Sequence, residues 1–155
     1  MTSSRFEYIG GGLTIYGGDG DDTIWANGNS NTLFGDAGND RIVGGAGDDT
    51  IIGGAGNDQL HGGGGNDTFI FGANWGVDVV NQLNDGSTIT LWFENNDGVW
   101  NEEKRTYTSG NNKVIVQSNA EVIILYGNLE SAPAGAIAEA ASKNILESTQ
   151  LAALA

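Results

Sequence analysis

The sequence predicts an all-β fold: a parallel β-roll, followed by an antiparallel β cap and a short helical tail. Three observations predict it. Glycine recurs with a period of nine residues from Gly17 to Ile70, the eighth place of every unit is a large apolar residue, and beyond Phe71 the glycines give way to β-branched and aromatic runs.

The 155-residue chain divides into a degenerate edge repeat at 1–16, the repeat block at 17–70, a flanking β cap at 71–130 and a tail at 131–155. The block consists of six units: GGDGDDTIW, ANGNSNTLF, GDAGNDRIV, GGAGDDTII, GGAGNDQLH and GGGGNDTFI. A worn seventh, YIGGGLTIY at 8–16, keeps the apolar place as Ile15 but has Leu13 at position six. Glycine at positions one, two and four permits positive φ and tight turns. Position eight is Ile24, Leu33, Ile42, Ile51, Leu60 and Phe69, so six residues turn and three form a strand pointing one side chain inward. Two units make a coil of 18 residues, and the coils stack as a flattened solenoid with a core one residue thick.

Composition narrows the function. Six basic residues stand against 20 acidic ones, for a net charge of −14, which excludes a nucleic-acid or anionic-membrane surface and favours cations. Without Cys there is no disulfide or thiolate metal site, so any staple is bound by oxygen. No apolar run reaches a membrane span, and MTSSRFEY lacks the regions of a cleavable signal peptide. The abrupt start reads as that of a piece of a longer protein.

Position six carries the chemistry, as Asp22, Asn31, Asp40, Asp49, Asp58 and Asp67. Stacked coils lie about 4.8 Å apart, which puts Asp22, Asp40 and Asp58 in one column and Asn31, Asp49 and Asp67 in the other. Each bare carboxylate pair repels by roughly 1 to 3 kcal/mol, so the column needs counter-charge. Main-chain carbonyls freed at the glycines supply further hard oxygens, and such a donor set suits Ca²⁺ better than Mg²⁺ or zinc. Ions then replace the missing apolar core, and folding free energy is largely binding free energy.

These residues resemble the repeats-in-toxin (RTX) nonapeptide G-G-x-G-x-D-x-U-x. The units Gly17 to Trp25 and Gly44 to Ile70 fit at every defined position; the unit at Gly35 departs at Asp36, and that at Ala26 carries Ala26, Asn27, Asn29 and Asn31 instead of Gly, Gly, Gly and Asp. The resemblance implies Ca²⁺ between repeat n and repeat n+2, held by Asp22, Asp40, Asp49, Asp58 and Asp67. Carbonyls of positions one to four complete each site: Gly17, Gly18, Asp19 and Gly20; Gly35, Asp36, Ala37 and Gly38; Gly44, Gly45, Ala46 and Gly47; Gly53, Gly54, Ala55 and Gly56; Gly62, Gly63, Gly64 and Gly65. Good sites are expected at Asp22/Asp40, Asp40/Asp58 and Asp49/Asp67 and a weaker one at Asn31/Asp49, giving about three to five ions.

FIFGANWGVDVVNQLNDGSTITLWF resembles the usual RTX C-terminal flank, in which Asp78 is an end-ligand candidate that does not fall on position six. STITLWF, RTYTS, KVIVQS and EVIILY read as strands of an antiparallel meander that caps the open end. Trp75, Trp92, Trp100, Tyr107 and Tyr126 read as cap core, with a ligand platform as the alternative. Outward positions on one side form a Thr column (Thr14, Thr32, Thr50, Thr68) beside an apolar column (Tyr16, Phe34, Ile52, Ile70). That face suits docking of the C-terminal segment or a preceding domain, or else contact with ice or another surface. The tail places Ile137, Ala141 and Ile145 at helical spacing and resembles the uncleaved signal of a type I exporter; the bland alternative is a fraying terminal helix.

No catalytic constellation emerges. His61, the single histidine, stands at an outward strand position and reads as a solvated imidazole, and carboxylates that ligate calcium cannot work as a tuned acid and base. The expected function is calcium-dependent folding and secretion of a larger extracellular bacterial protein, with the type I secretion machinery and upstream domains as partners. The alternative is an adhesin-like module binding a surface or polysaccharide.

Overall fold

The computed structural model describes residues 4–5, 12–26, 28–83 and 85–127. They form an all-β parallel solenoid of about four turns. Among the described residues there is no helix, and therefore none long and apolar enough to cross a membrane. The expected helical tail lies outside them.

Strands alternate between two sheets. One contains β2 (Thr14–Asp19), β4 (Thr32–Ala37), β6 (Thr50–Ala55), β8 (Asp67–Phe71), β10 (Thr88–Phe93) and β14 (Glu121–Tyr126), neighbours in that order. The other runs β1 (Ser4–Arg5), β3 (Thr23–Trp25), β5 (Arg41–Gly45), β7 (Gln59–Gly63) and β9 (Val77–Asn81), and then β13 (Asn112–Val116), β12 (Thr106–Ser109) and β11 (Val99–Asn101). The register follows the nine-residue count, with Leu33 opposite Ile51 and Ile42 opposite Leu60. Position eight is fully buried in every unit from Ile24 to Phe69, and these side chains form one continuous core.

The strands of the first sheet are longer than three residues. β4 and β6 run on into the glycines of the next unit, pairing Asp36 with Gly54 and Ala37 with Ala55. Side-chain-free backbone lets stacked turns approach closely enough to extend the ladder.

The expected meander is corrected in part. β12 and β13 pair antiparallel, as do β11 and β12, but β10 pairs parallel with both β8 and β14, and β13 pairs parallel with β9. The reason is the row of unpaired N–H and C=O groups left along β8 and β9: the next strands satisfy it by continuing the stack. Connections long enough for a crossover make the parallel pairing possible.

The flank supplies a thicker core than the repeats. Phe71, Trp75, Phe93 and Tyr107 cluster, with Phe71 and Phe93 stacked at 5.1 Å and Phe93 and Tyr107 at 3.7 Å between ring centroids. Trp100 packs against this core partly buried, whereas Tyr126 is exposed at the edge strand although its ring meets Phe93 and Tyr107. Trp92 lies elsewhere. It faces outward in register with Ile70, extending the column of Tyr16, Phe34 and Ile52, while Thr90 extends the Thr column. Phe34, Ile52, Ile70 and Trp92 are only 0–7 % exposed although they point away from the core; the C-terminal segment expected to cover them lies outside the described residues.

Truncating Phe93 to alanine removes the ring between two stacked partners and should cost about 3–5 kcal/mol, measured by urea unfolding in saturating calcium. A loss below about 1 kcal/mol would show that the aromatic cluster is not the anchor of this end.

Candidate metal centre

The side chains of Asp40, Asp49, Asp58 and Asp67 are pinned across the stack. The N–H of Asp22 donates to Oδ1 of Asp40 at 2.7 Å, that of Asp40 to Asp58 at 2.8 Å, that of Asn31 to Asp49 at 2.7 Å and that of Asp49 to Asp67 at 2.8 Å. All six position-six residues are at most 3 % exposed. The second carboxylate oxygens of Asp40, Asp49, Asp58 and Asp67 are also buried, and no hydrogen bond reaches them.

Those oxygens explain the first glycine of the five units that begin with one, which the sequence reading assigned to positive φ. Gly17, Gly35, Gly44, Gly53 and Gly62 do not adopt it; positions two and four do, from Gly18 at 97° to Gly38 at 139°, and Asp36 takes 76° in place of a glycine. At position one the constraint is space. A Cβ on Gly35 would strike both Asp40 Oδ2 and the Gly53 carbonyl oxygen, and one on Gly44 would strike Asp49 Oδ2 and stand 2.6 Å from the Gly62 oxygen. On Gly17 it would stand 2.7 Å from the Gly35 oxygen and 3.1 Å from Asp22 Oδ2. A carboxylate oxygen and a carbonyl from the next coil therefore converge at Asp22, Asp40 and Asp49. For Asp58 and Asp67 the first glycines, Gly53 and Gly62, again meet the carboxylate.

Carbonyls of positions two and four point along the stack. A Cβ on Gly54 would collide with the Asp36 oxygen, on Gly63 with that of Gly45, on Gly56 with that of Gly38 and on Gly65 with that of Gly47. At position three, the Ala37 and Ala55 carbonyls accept from Gly20 and Gly38 N–H at 2.7 and 2.9 Å, while the side chains of Asp19, Ala37, Ala46 and Ala55 are exposed. Among the described residues no three His, Cys, Asp or Glu side chains converge. The donor set is mostly main-chain oxygen, a hard, flexible set that fits calcium.

The unit at Ala26 differs. Asn31 Nδ2 donates to Asp49 Oδ1 at 2.9 Å, to the Gly44 oxygen at 3.3 Å and to the Asn29 oxygen. An amide donor thus stands beside the position-one carbonyl of the next coil, where the unit at Gly17 places a carboxylate oxygen.

One feature escaped the sequence reading, and another, named there as an end-ligand candidate, was not placed in the column. The first is a second ladder at position five, directed the opposite way: Asn39 N–H donates to Asp21 Oδ1, Asn57 to Asn39, Asp48 to Ser30 Oγ and Asn66 to Asp48, at 2.8–3.2 Å. Its signal was present, since position five is always Asp, Asn or Ser. The second is Asp78, which accepts from Asp58 N–H at 2.9 Å and so stands in the position-six place of the next turn. His61 is half-buried beside Arg41, Val43 and Asn81; burial, then the Arg41 charge, lowers its pKa.

A parallel solenoid with stacked carboxylates and carbonyl ladders is the architecture of a calcium-binding repeat protein. Residues 14–42 and 34–69 match the family model described as the RTX calcium-binding nonapeptide repeat, in four copies. This part of the chain is therefore a block of RTX repeats, a family of structural calcium-binding modules that bind calcium generally. No curated protein matches the chain.

Burial governs the protonation of the carboxylates in the absence of metal. It raises Asp40 from 3.8 to about 6, Asp49, Asp58 and Asp67 to about 7 and Asp78 to about 8, against the lowering effect of the backbone N–H each accepts. The neighbouring carboxylate in the stack raises Asp40, Asp58, Asp67 and Asp78 further. The folded chain binds these protons more tightly than the unfolded chain, so their stabilisation is complete below about pH 3.8 and lost as pH rises through 6 to 8.

In chelator, lowering the pH from above 8 to below 6 should therefore increase β-structure by circular dichroism, whereas with calcium present the same change should weaken apparent ion affinity. A pH-independent apo spectrum would contradict the buried-carboxylate account. Gly44→Ala should weaken calcium binding about 10–100-fold by calorimetry. Gly28→Ala, where a Cβ meets nothing within 4 Å, should leave it unchanged; equal effects would remove the steric role of position one.

Proposed function

We propose that the chain is a calcium-dependent folding and secretion module of a larger extracellular protein. The observation that carries this reading is the set of buried carboxylates at Asp40, Asp49, Asp58 and Asp67, each with an oxygen that no hydrogen bond reaches, in a roll whose core is one side chain thick. Calcium would be held between the Asp22 and Asp40, Asp40 and Asp58, and Asp49 and Asp67 turns, with carbonyls of positions one to four. Bound there, it neutralises the carboxylates and ties successive coils together.

A cell interior low in calcium would leave sites of about 10⁻⁴ to 10⁻³ M affinity empty, and the acidic chain would stay unfolded enough to thread an exporter. Millimolar calcium outside would fold it and oppose backsliding. The type I secretion machinery is the fitting partner, with residues 131–155 as its signal and the activity of the parent protein residing in upstream domains.

Far-ultraviolet circular dichroism of the chelated chain at neutral pH should show a coil that converts cooperatively to β-structure at submillimolar to millimolar calcium, with magnesium ineffective. A chain already folded in chelator, or one that folds equally in magnesium, would overturn the reading.

A further inference from the structure

We propose that Asp78 completes one more calcium site, between the turns that carry Asp58 and Asp78, outside the nonapeptide repeats. It rests on the calcium reading of the roll. The family match ends at residue 69, and Asp78 follows Asp58 by 20 residues rather than by 18, so no nine-residue pattern reaches it.

The turn nevertheless reproduces the inter-coil contacts of a repeat. Gly76, at φ 81°, sits where a Cβ would strike the Gly56 oxygen, just as one on Gly56 would strike the Gly38 oxygen, so the position-four carbonyl stack continues. Val77 N–H donates to Asn57 Oδ1 at 2.9 Å, continuing the position-five ladder. Asp58 N–H donates to Asp78 Oδ1 at 2.9 Å, continuing the position-six ladder. The two additional residues fall between Phe71 and Gly76 and leave all three contacts intact.

Asp78 is 0 % exposed and its Oδ2 is buried with no hydrogen-bond partner, as is Oδ2 of Asp58. Lys113, the nearest base in the register, stands opposite Val77, and no ion pair to Asp78 is present among the described residues. The next residue in the column is Val114, which makes Asp78 the last carboxylate of the stack. Two buried carboxylates and a stack of carbonyls without a protein cation are the donor set proposed for the gaps within the repeats. The competing account is an acid that stays protonated and binds nothing.

Counting ions on the full chain at saturating calcium by native mass spectrometry separates the two. Asp78→Asn keeps the acceptor for Asp58 N–H and should bind one ion fewer than the wild type; an equal count overturns the proposal. Should that variant fail to fold, crystals of the wild-type chain grown in calcium should show an anomalous peak between Asp58 and Asp78. Peaks at Asp40 and Asp49 with none at Asp78 overturn this site alone, and the absence of any peak overturns the calcium reading with it.

Discussion

The hydrogen bond from one position-six N–H to the carboxylate of the next coil is the constraint on which the remainder of the structure depends. It sets the side chain inside the stack and commits Oδ1, so that Oδ2 is directed into the gap between coils. That oxygen takes the space a first-position Cβ would need at Gly35, Gly44, Gly53 and Gly62, whereas Ala26 begins the unit that has Asn31 in place of the acid. The same bond buries carboxylates one above another, an arrangement that protons or cations must neutralise. Repeat sequence, turn geometry and ion demand thus share one cause.

The position-five ladder stabilises the turns without creating charge in the gap. Its side chains accept from the following coil, whereas position six accepts from the preceding one, so every turn is clamped in both directions. Because the position-five groups are exposed, their charges and amides remain solvated, and the electrostatic cost stays on the inner column.

Both carboxylate columns end on apolar residues in register. Asp78 is followed by Val114, and Asp67 by Ile89 and then Val122. At this end an interior flanked by buried carboxylates passes into a hydrophobic one, where Phe71, Trp75, Phe93 and Tyr107 bring aromatic mass that the repeats lack. A solenoid with such an end has one part able to hold its shape by apolar burial and another that depends on neutralised charge. This is the division that a protein folding only where calcium is abundant would need.

The sequence alone determined the period, the inward position eight and the column of acids, because a repeat that stacks on itself converts spacing directly into position. It also identified β10, β12, β13 and β14 of the flank from their β-branched and aromatic runs, but not β9 or β11. Their partners were decided only by the tertiary structure: a turn such as SGNN marks where β12 and β13 reverse, but nothing local reveals that β10 and β14 will extend the open ladder instead of pairing with their sequence neighbours. Asp78 was legible as an acid and not as a member of the column, since its register depends on how the 71–76 connection absorbs two residues. The burial of Phe34, Ile52, Ile70 and Trp92 on an outward face is likewise something that strand periodicity does not encode. Periodic stacking is a local rule repeated; termination is set by contacts between segments distant in sequence.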